Sequence, residues 1–420
     1  MRRSSQRLDT RESPHPGLSF PEFVIMIAAL MALNALAMDI MLPALPQIGD
    51  ALNILRDNDR QLVLISYLIG FGGAQLVYGP VSDAFGRRTI LLAGLGLYTA
   101  ASVGALFSQT LDQFLFARLM QGVGCAATRV IAVSVVRDCY SGRQMGRVMS
   151  LAMMIFMAIP IVAPSIGQVI LLVADWVWIF SLLLVAGIMM LVWCALRLPE
   201  TLPPSRRQPF SPRVVGAAYL TAVTTRLSIG YTLATTFIFG VIFSFISMAQ
   251  QIYVDIFGLG VWFPVVFAAV AITMSVASFL NARLVGALGL RRLSHSAVLL
   301  YMVLGFLQLA LGLSGLEDVG LFTASMALLM ACFGFIGPNF NAMAMEPLGA
   351  IAGTASSVIG FVTTLGGALL GFAVGQVFDG TLVPLGSACA LFGTLAVACV
   401  LFAENGLLFR AREGAPGTKG

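Results

Sequence analysis

Two stretches decide how this chain folds: "SDAFGRR" (Ser82–Arg88) and "VGALGLRR" (Val285–Arg292). Each is a short turn that passes a glycine and closes on two arginines, and each joins two long apolar runs. Gly86 and Gly289 stand 203 residues apart, close to half of the 420-residue chain. Asp138 and Glu346, each just after a later apolar run, stand 208 apart. A turn that recurs at half the chain length predicts two copies of one helical unit in the same orientation.

Composition sets what the unit is made of. The chain is 59% hydrophobic and 10% charged, with a mean hydropathy of +0.93. A soluble protein carries about 25% charged residues, so a soluble fold is excluded. The apolar runs are about 20 residues long, which reads as helices and not as the ~10-residue alternating strands of a barrel. Twelve spans are expected, near 22–44, 60–80, 89–109, 113–136, 146–172, 177–196, 227–251, 260–282, 295–314, 319–341, 354–377 and 384–404. The first 22 residues are polar and basic and no small-residue cleavage site follows the first run, so that run is expected to be a permanent span.

The longest polar linker, "RLPETLPPSRRQPFSPR" (197–213), falls between spans 6 and 7. The expected organisation is an N-terminal tail (1–21), a six-helix bundle (22–196), a linker (197–226), a second bundle (227–404) and a C-terminal tail (405–420). Residues 214–225 either lie along the interface or extend span 7. Of the 24 Lys and Arg, 20 fall in the two tails, the linker and the loops 2–3, 4–5 and 8–9. The opposite loops carry Arg56 and Arg60, and Arg118 and Arg129 lie within spans. Positive residues mark the cytoplasmic side, so both termini are expected there.

Several function classes drop out. Nearly every cation is an arginine at a membrane boundary, and Lys419 is the only lysine, so a net charge of +5 gives no case for a nucleic-acid partner. The six cysteines (125, 139, 194, 332, 389, 399) form no CxxC, and His15 and His295 are the only histidines, so neither a metal centre nor a disulfide frame is expected. There is no GxxxxGK[ST] phosphate loop and no cluster of nucleophile and base within the spans. An enzyme is not expected.

The spans nevertheless carry charge. Asp39 is the one charged residue between Phe23 and Leu45, where an ionised carboxylate costs about 2.5–3.5 kcal/mol. It lies five residues before Ala44, about 7–8 Å inside the outer boundary. Arg118 lies six residues after Asp112 in span 4, about 9 Å inside the same boundary. Opposite charges at one depth are expected to meet in at least one state, with Gln121 sharing their network. A carboxyl that meets and leaves a cation can take up and release a proton. The plain alternative is that Asp39 caps the outer end of span 1, ahead of Pro43 and Pro46. Arg129, 11 residues after Arg118, shares its helix face and is expected to line the cytoplasmic half of a cavity, unless it snorkels or pairs with Asp138.

These motifs resemble a known family. "GPVSDAFGRR" (Gly79–Arg88) resembles the loop 2–3 signature of the major facilitator superfamily. "RLMQGVGCAA" (Arg118–Ala127) resembles the span-4 motif of its proton-coupled antiporters, and "AMDIMLPALP" (Ala37–Pro46) the span-1 stretch of drug/proton antiporters. "VVRDCY", "APSIGQ" and "NAMAMEPLGAIAGTAS" together resemble the Bcr/CflA subfamily, exporters of bicyclomycin and phenicol-type antibiotics. The chain departs from the family pattern at Ala84, Ala163 and Gln168, and Met31 and Ala32 stand where some relatives carry a second acid.

The resemblance implies an all-α membrane protein of twelve helices in two pseudo-symmetric bundles. It implies proton-coupled efflux of small lipophilic drugs by alternating access, or, as the alternative, export or symport of a metabolite on the same fold. A cytoplasmic gate of Gly79, Asp83, Gly86, Arg87 and Arg88 is implied, with Asp83 aimed at the start of span 11 (Ala352–Ser357); the alternative is a turn that only anchors topology. Pro160, Pro164 and Gly167 in span 5 are expected as a hinge, and Gly366, Gly367, Gly371 and Gly375 in span 11 as a rocking seam or plain helix packing. Asn34, Tyr67, Arg129, Tyr231, Phe239, Phe243, Gln250, Asn339 and Asn341 are the expected cavity residues. The expected setting is a monomer in the bacterial inner membrane, with no cofactor, driven by the proton gradient, whose partners are a small lipophilic substrate, protons and the lipid bilayer.

Overall fold

The structure, a computed structural model, describes residues 18–207 and 211–409. Most of the expected N-terminal tail with His15, linker residues 208–210, and the C-terminal tail from 410 with Lys419 lie outside the described residues. Within them are twelve helices long and apolar enough to cross a membrane. Span 1 comprises Phe20–Asp39 and Leu45–Ala51, joined through a 3-10 turn at Leu42–Ala44. Spans 2 to 6 are Leu62–Phe85, Arg87–Leu106, Leu111–Cys139, Gly142–Val173 and Val177–Arg197. Spans 7 to 12 are Arg226–Gln250, Phe263–Leu288, Leu290–Ser314, Val319–Met345, Ala352–Gln376 and Val383–Ala403. Span 1 therefore continues past the expected end at 44. Pro43 and Pro46 fall in the first turns of new helical segments, where their missing N–H groups break no bond.

The repeat legible in the turns recurs throughout the structure. Gly86 and Gly289 each make a one-residue turn with positive φ, +100° and +83°, a conformation that favours glycine. Span 4 is capped by Thr110 Oγ1, which accepts from Gln113 N, and span 10 by Asp318 Oδ1, which accepts from Leu321 N. Asp318 stands 208 residues after Thr110, the spacing of Asp138 and Glu346. Arg87 pairs with Asp138 at 2.9 Å, and Arg291 with Glu346 at 3.0 Å. Tyr98 and Tyr301, 203 apart, are both fully buried, and each presses on a glycine of the last span of its half, Gly187 and Gly393.

The halves meet along spans 2 and 11. A Cβ added to Gly72 would lie 3.1 Å from Leu365, and one on Gly79 would lie 2.7 Å from Ser357 Oγ. Gln75 Nε2 donates to Thr364 Oγ1 at 3.4 Å. Spans 5 and 8 form the second seam, where Ser275 Oγ donates to the Met157 carbonyl at 3.5 Å. The stretch 214–225 does not extend span 7. It belongs to a separate helix, Pro212–Thr224, whose buried Ala222 joins a small core with Leu348, Ala355 and Val358. From that helix Tyr219 donates its hydroxyl to the Leu76 carbonyl of span 2 at 2.6 Å. Leu76 precedes Pro80 by four residues, and proline has no N–H, so this carbonyl lacks its helical partner. Tyr219 supplies one from the linker.

Candidate functional site

Arg118 is the hub of the N-terminal half. Its side chain is fully buried, and every arm of the guanidinium is engaged. Nη2 donates to the Ala37 carbonyl of span 1 at 3.1 Å, Nε to the Val63 carbonyl of span 2 at 3.3 Å, and Nη1 to Gln121 Oε1. Gln121 Nε2 in turn donates to Ser102 Oγ of span 3 at 2.8 Å. The guanidinium carbon lies 4.6 Å from the centroid of the Tyr67 ring and 5.8 Å from that of Phe180, within cation–π range. One side chain thus ties together spans 1, 2, 4 and 6.

Asp39 ends the first segment of span 1, two residues beyond the carbonyl that Arg118 holds. It is 3% exposed, and its Oδ1 has no hydrogen-bond partner. The two charges do not form an ion pair in this conformation, because the backbone carbonyls of Ala37 and Val63 and the side chain of Gln121 occupy the guanidinium. Asp39 is no solvent-facing cap. Span 5 presses on its neighbour: a Cβ on Gly167 would collide with the Ile40 carbonyl. Pro160, Pro164 and Gly167 lie within one continuous helix, so the expected hinge glycine packs against the break in span 1.

The loop 2–3 residues gather as a clamp. Arg87 is 3% exposed and pairs with Asp83 at 2.5 Å and with Asp138 at 2.9 Å. The Arg87 and Arg88 backbone N–H groups donate to the Glu200 carboxylate of the linker, and Arg88 Nη2 donates to the Ala195 carbonyl. Asp83 therefore turns to Arg87 across the Gly86 turn, and makes no hydrogen bond to span 11 among the described residues. The approach to span 11 is made by Gly79, which faces Ser357.

The expected cavity residues divide. Tyr67 is fully buried and donates to Asn34 Oδ1 at 2.9 Å, so it supports the half-buried Asn34 and lines no open space. Tyr231 is also fully buried. It donates to Glu404 Oε1 at 2.7 Å and bonds His295 Nε2 at 2.9 Å, in a cluster at the end of the C-terminal half. Arg291 adds a bond to Glu404 at 2.7 Å, and Phe409 N donates to His295 Nδ1 at 3.1 Å. Burial works to raise the Glu404 carboxyl, but the bonds from Tyr231 and Arg291 prevail and hold it below the usual glutamate range. Asn339 is buried and exchanges bonds with Asn281 of span 8, gluing two helices. Gln250 is buried too, and Phe243 is 7% exposed against Gly371. Phe239 is half-buried, edge-on to Phe333. Asn341 and Arg129 are exposed. Arg129 has no hydrogen bond or ion pair among the described residues, and the expected alternative partner, Asp138, is held by Arg87. Gly366, Gly367 and Gly371 pack on span 7 inside their own half, against Thr236, Phe239 and Phe243; Gly375 faces Gln61 across the seam.

Sequence reading missed a seal at the face opposite the arginine-rich one. Asn58 Nδ2 donates to the Phe378 carbonyl at 2.8 Å and the Gln376 carbonyl at 3.3 Å. Gln376 Nε2 donates back to the Asn58 carbonyl at 2.9 Å. Gln251 Nε2 donates to Asn58 Oδ1 at 3.1 Å, and Gln61 Nε2 donates to Gln251 Oε1 and the Gly375 carbonyl. Four carboxamides, two from each half, close that side without charge. The signal was present as amides at the outer ends of spans 2, 7 and 11, but nothing in the sequence aligns those ends.

The family model described as Major Facilitator Superfamily matches residues 27–371. The chain is 32% identical over 380 residues to "Uncharacterized MFS-type transporter YdgK" of Bacillus subtilis, covering 88% of this chain and 93% of the relative. It is 30% identical to "Bicyclomycin resistance protein homolog" of Haemophilus influenzae, covering 89% and 94%. It is 29% identical to "Multidrug resistance protein MdtL" of Escherichia coli, covering 83% and 86%. A solved structure of the xylose transporter XylE from E. coli superposes with a TM-score of 0.70 at 14% identity, covering 91% of this chain and 96% of that one.

Proposed function

The chain belongs to the major facilitator superfamily, whose members carry small substrates across membranes, and from that premise we propose that it exports small lipophilic drugs or antibiotics in exchange for protons. The names of two relatives, a bicyclomycin resistance homolog and a multidrug resistance protein, support the substrate class. The bacterial inner membrane is the setting, and the arginine-rich face is cytoplasmic by the positive-inside rule. The protein works as a monomer, without a cofactor, on the energy of the proton gradient.

The observation that carries the coupling is Asp39, buried, with one carboxyl oxygen unpartnered, two residues from the carbonyl held by Arg118. In the state described, Arg118 is satisfied without Asp39. Exchange requires span 1 to shift against span 4 within the N-terminal half as the halves rock, which releases the Ala37 contact. Released from Ala37, the guanidinium reaches for the carboxyl, and the proton on Asp39 leaves. Substrate and proton thereby occupy the protein alternately. The amide seal closes the outer side while the cytoplasmic side takes substrate.

The test is a resistance panel in an efflux-deficient host, with proton movement followed in proteoliposomes by a pH-sensitive dye. Wild type should protect the host and collapse a preset pH gradient when an exported compound is added. Asp39→Asn should bind the compound and move no protons. If Asp39→Asn still concentrates the compound against a gradient, the proton does not travel on this carboxyl.

A further inference from the structure

Arg129, in the inner half of span 4, has no hydrogen-bond or ion-pair partner among the described residues. It stands ten residues before the end of span 4, about 15 Å from that end at 1.5 Å per residue. An arginine side chain extends about 7 Å, short of the helix end, which itself projects beyond a ~30 Å hydrocarbon core. Yet it is exposed, between the buried Thr128 and the half-buried Val130.

What it is exposed to follows from Arg118. Eleven residues at 100° each bring Arg129 back to within about 20° of the Arg118 face. Arg118 fills that face by bonding the carbonyls of Ala37 in span 1 and Val63 in span 2. About 16 Å nearer the arginine-rich side, the same face of span 4 holds an open side chain. That face of span 4 is therefore closed at Arg118 and exposed at Arg129. The lipid-facing side of span 4 is marked by Phe116, 63% exposed; Arg129 lies about 140° away around the helix. Arg137, two turns further on and about 80° around the helix, lies beside Gly353 at the start of span 11 in the other half.

We propose that Arg129 is an anion-binding site in the cytoplasmic mouth of the central cleft, and that the compounds carried present an acidic group to it, a carboxylate, sulfonate or ionised phenol. Arg129 offers five donors, none of them engaged among the described residues, and a full positive charge. Donors without acceptors select an electron-rich ligand and repel organic cations. The substrate consequence rests on the efflux reading above; the charge of the cleft does not.

The experiment separates the two. A thiol is placed one turn along the same face, Val133→Cys, and its modification in membranes is timed with a sulfonate-bearing and a trimethylammonium-bearing methanethiosulfonate, against the chain without that thiol. At ~7 Å in a water-like medium a unit charge favours the sulfonate over the ammonium by roughly sevenfold. The rate ratio, corrected for reaction with a free thiol, should show that preference, lose it in Arg129→Gln and keep it in Arg129→Lys. A ratio near one with Arg129 intact, a ratio unchanged by Arg129→Gln, or no reaction with either reagent overturns the site. Among compounds that wild type exports, Arg129→Gln should raise KM for acids about tenfold or more and leave neutral compounds unchanged; export of cations alone overturns the substrate class. A wild type that exports nothing sinks the efflux reading, while the thiol ratio still decides the site.

Discussion

Replacing Asn58 by alanine removes three side-chain hydrogen bonds between the halves: two donated to the carbonyls of Gln376 and Phe378, and one accepted from Gln251. Each is worth about 1 kcal/mol net. If the outward-facing state lacks all three, Asn58→Ala destabilises the closed outer side by roughly 2–4 kcal/mol. At 1.4 kcal/mol per tenfold, the equilibrium shifts toward outer opening by roughly 30- to 800-fold. Spin labels at Leu55→Cys and Asp379→Cys flank the seal on exposed sites in opposite halves, and pulsed dipolar spectroscopy reads the distance between them. Wild type should give one short distance and Asn58→Ala a dominant long one. Asn58→Asp should also open, since a carboxylate cannot donate to the two carbonyls. An unchanged distance distribution in both variants would refute the reasoning, because the amides would then be bystanders to a seam closed by spans 2 and 11 alone.

Tyr219→Phe removes the donor that serves the Leu76 carbonyl, and it should loosen the linker helix by about 1 kcal/mol, seen as faster amide hydrogen exchange over 212–224 with the twelve spans unaffected. Glu404→Gln should cut thermal stability by about 1–3 kcal/mol at neutral pH, as it weakens the bonds from Tyr231 and Arg291. The Glu404 carboxyl is held below its ordinary value of 4.5, so its stabilisation is complete above that value and fades as pH falls through the folded one. Melting curves of the two proteins should therefore converge in acid; a constant gap would assign the effect to shape and not charge.

The fold was legible because its signals are local or periodic. Span length and the arginine asymmetry need no knowledge of neighbours, and the Gly86 and Gly289 turns mark the repeat by a backbone conformation that few residues adopt. Asp39 and Arg118 were legible for the same reason, since a charge in an apolar run is conspicuous wherever the run goes. What each charge touches was not. Arg118 satisfies itself on backbone carbonyls of Ala37 and Val63, and every residue carries a carbonyl, so no residue type announces the partner. Tyr231, expected in the cavity, turns instead to Glu404 and His295, because a helix in a bundle turns polar groups toward its neighbours as readily as toward a cleft. Tyr219 was invisible until Pro80 was seen to vacate the carbonyl it meets.

The comparison of the halves also bears on the proposed energy coupling. The shift of 208 residues that carries Thr110 to Asp318 and Asp138 to Glu346 carries Arg118 to Met326 and Gln121 to Leu329, all four of these last buried. The C-terminal half keeps the caps, the glycine turn and the arginine clamp, and replaces the charged hub by hydrocarbon. Span 7 holds no acid between Arg226 and Gln250, where the equivalent of Asp39 falls. Arg118 is buried without an ion pair in this conformation, which is unstable compared with an apolar side chain of similar volume. Its twin position demonstrates that the fold does not require the charge, since Met326 fills it. A costly group that is absent from one half and present in the other is consistent with the proposed exchange, in which the cation that holds the Ala37 carbonyl, two residues from Asp39, alternates with a proton on that carboxyl.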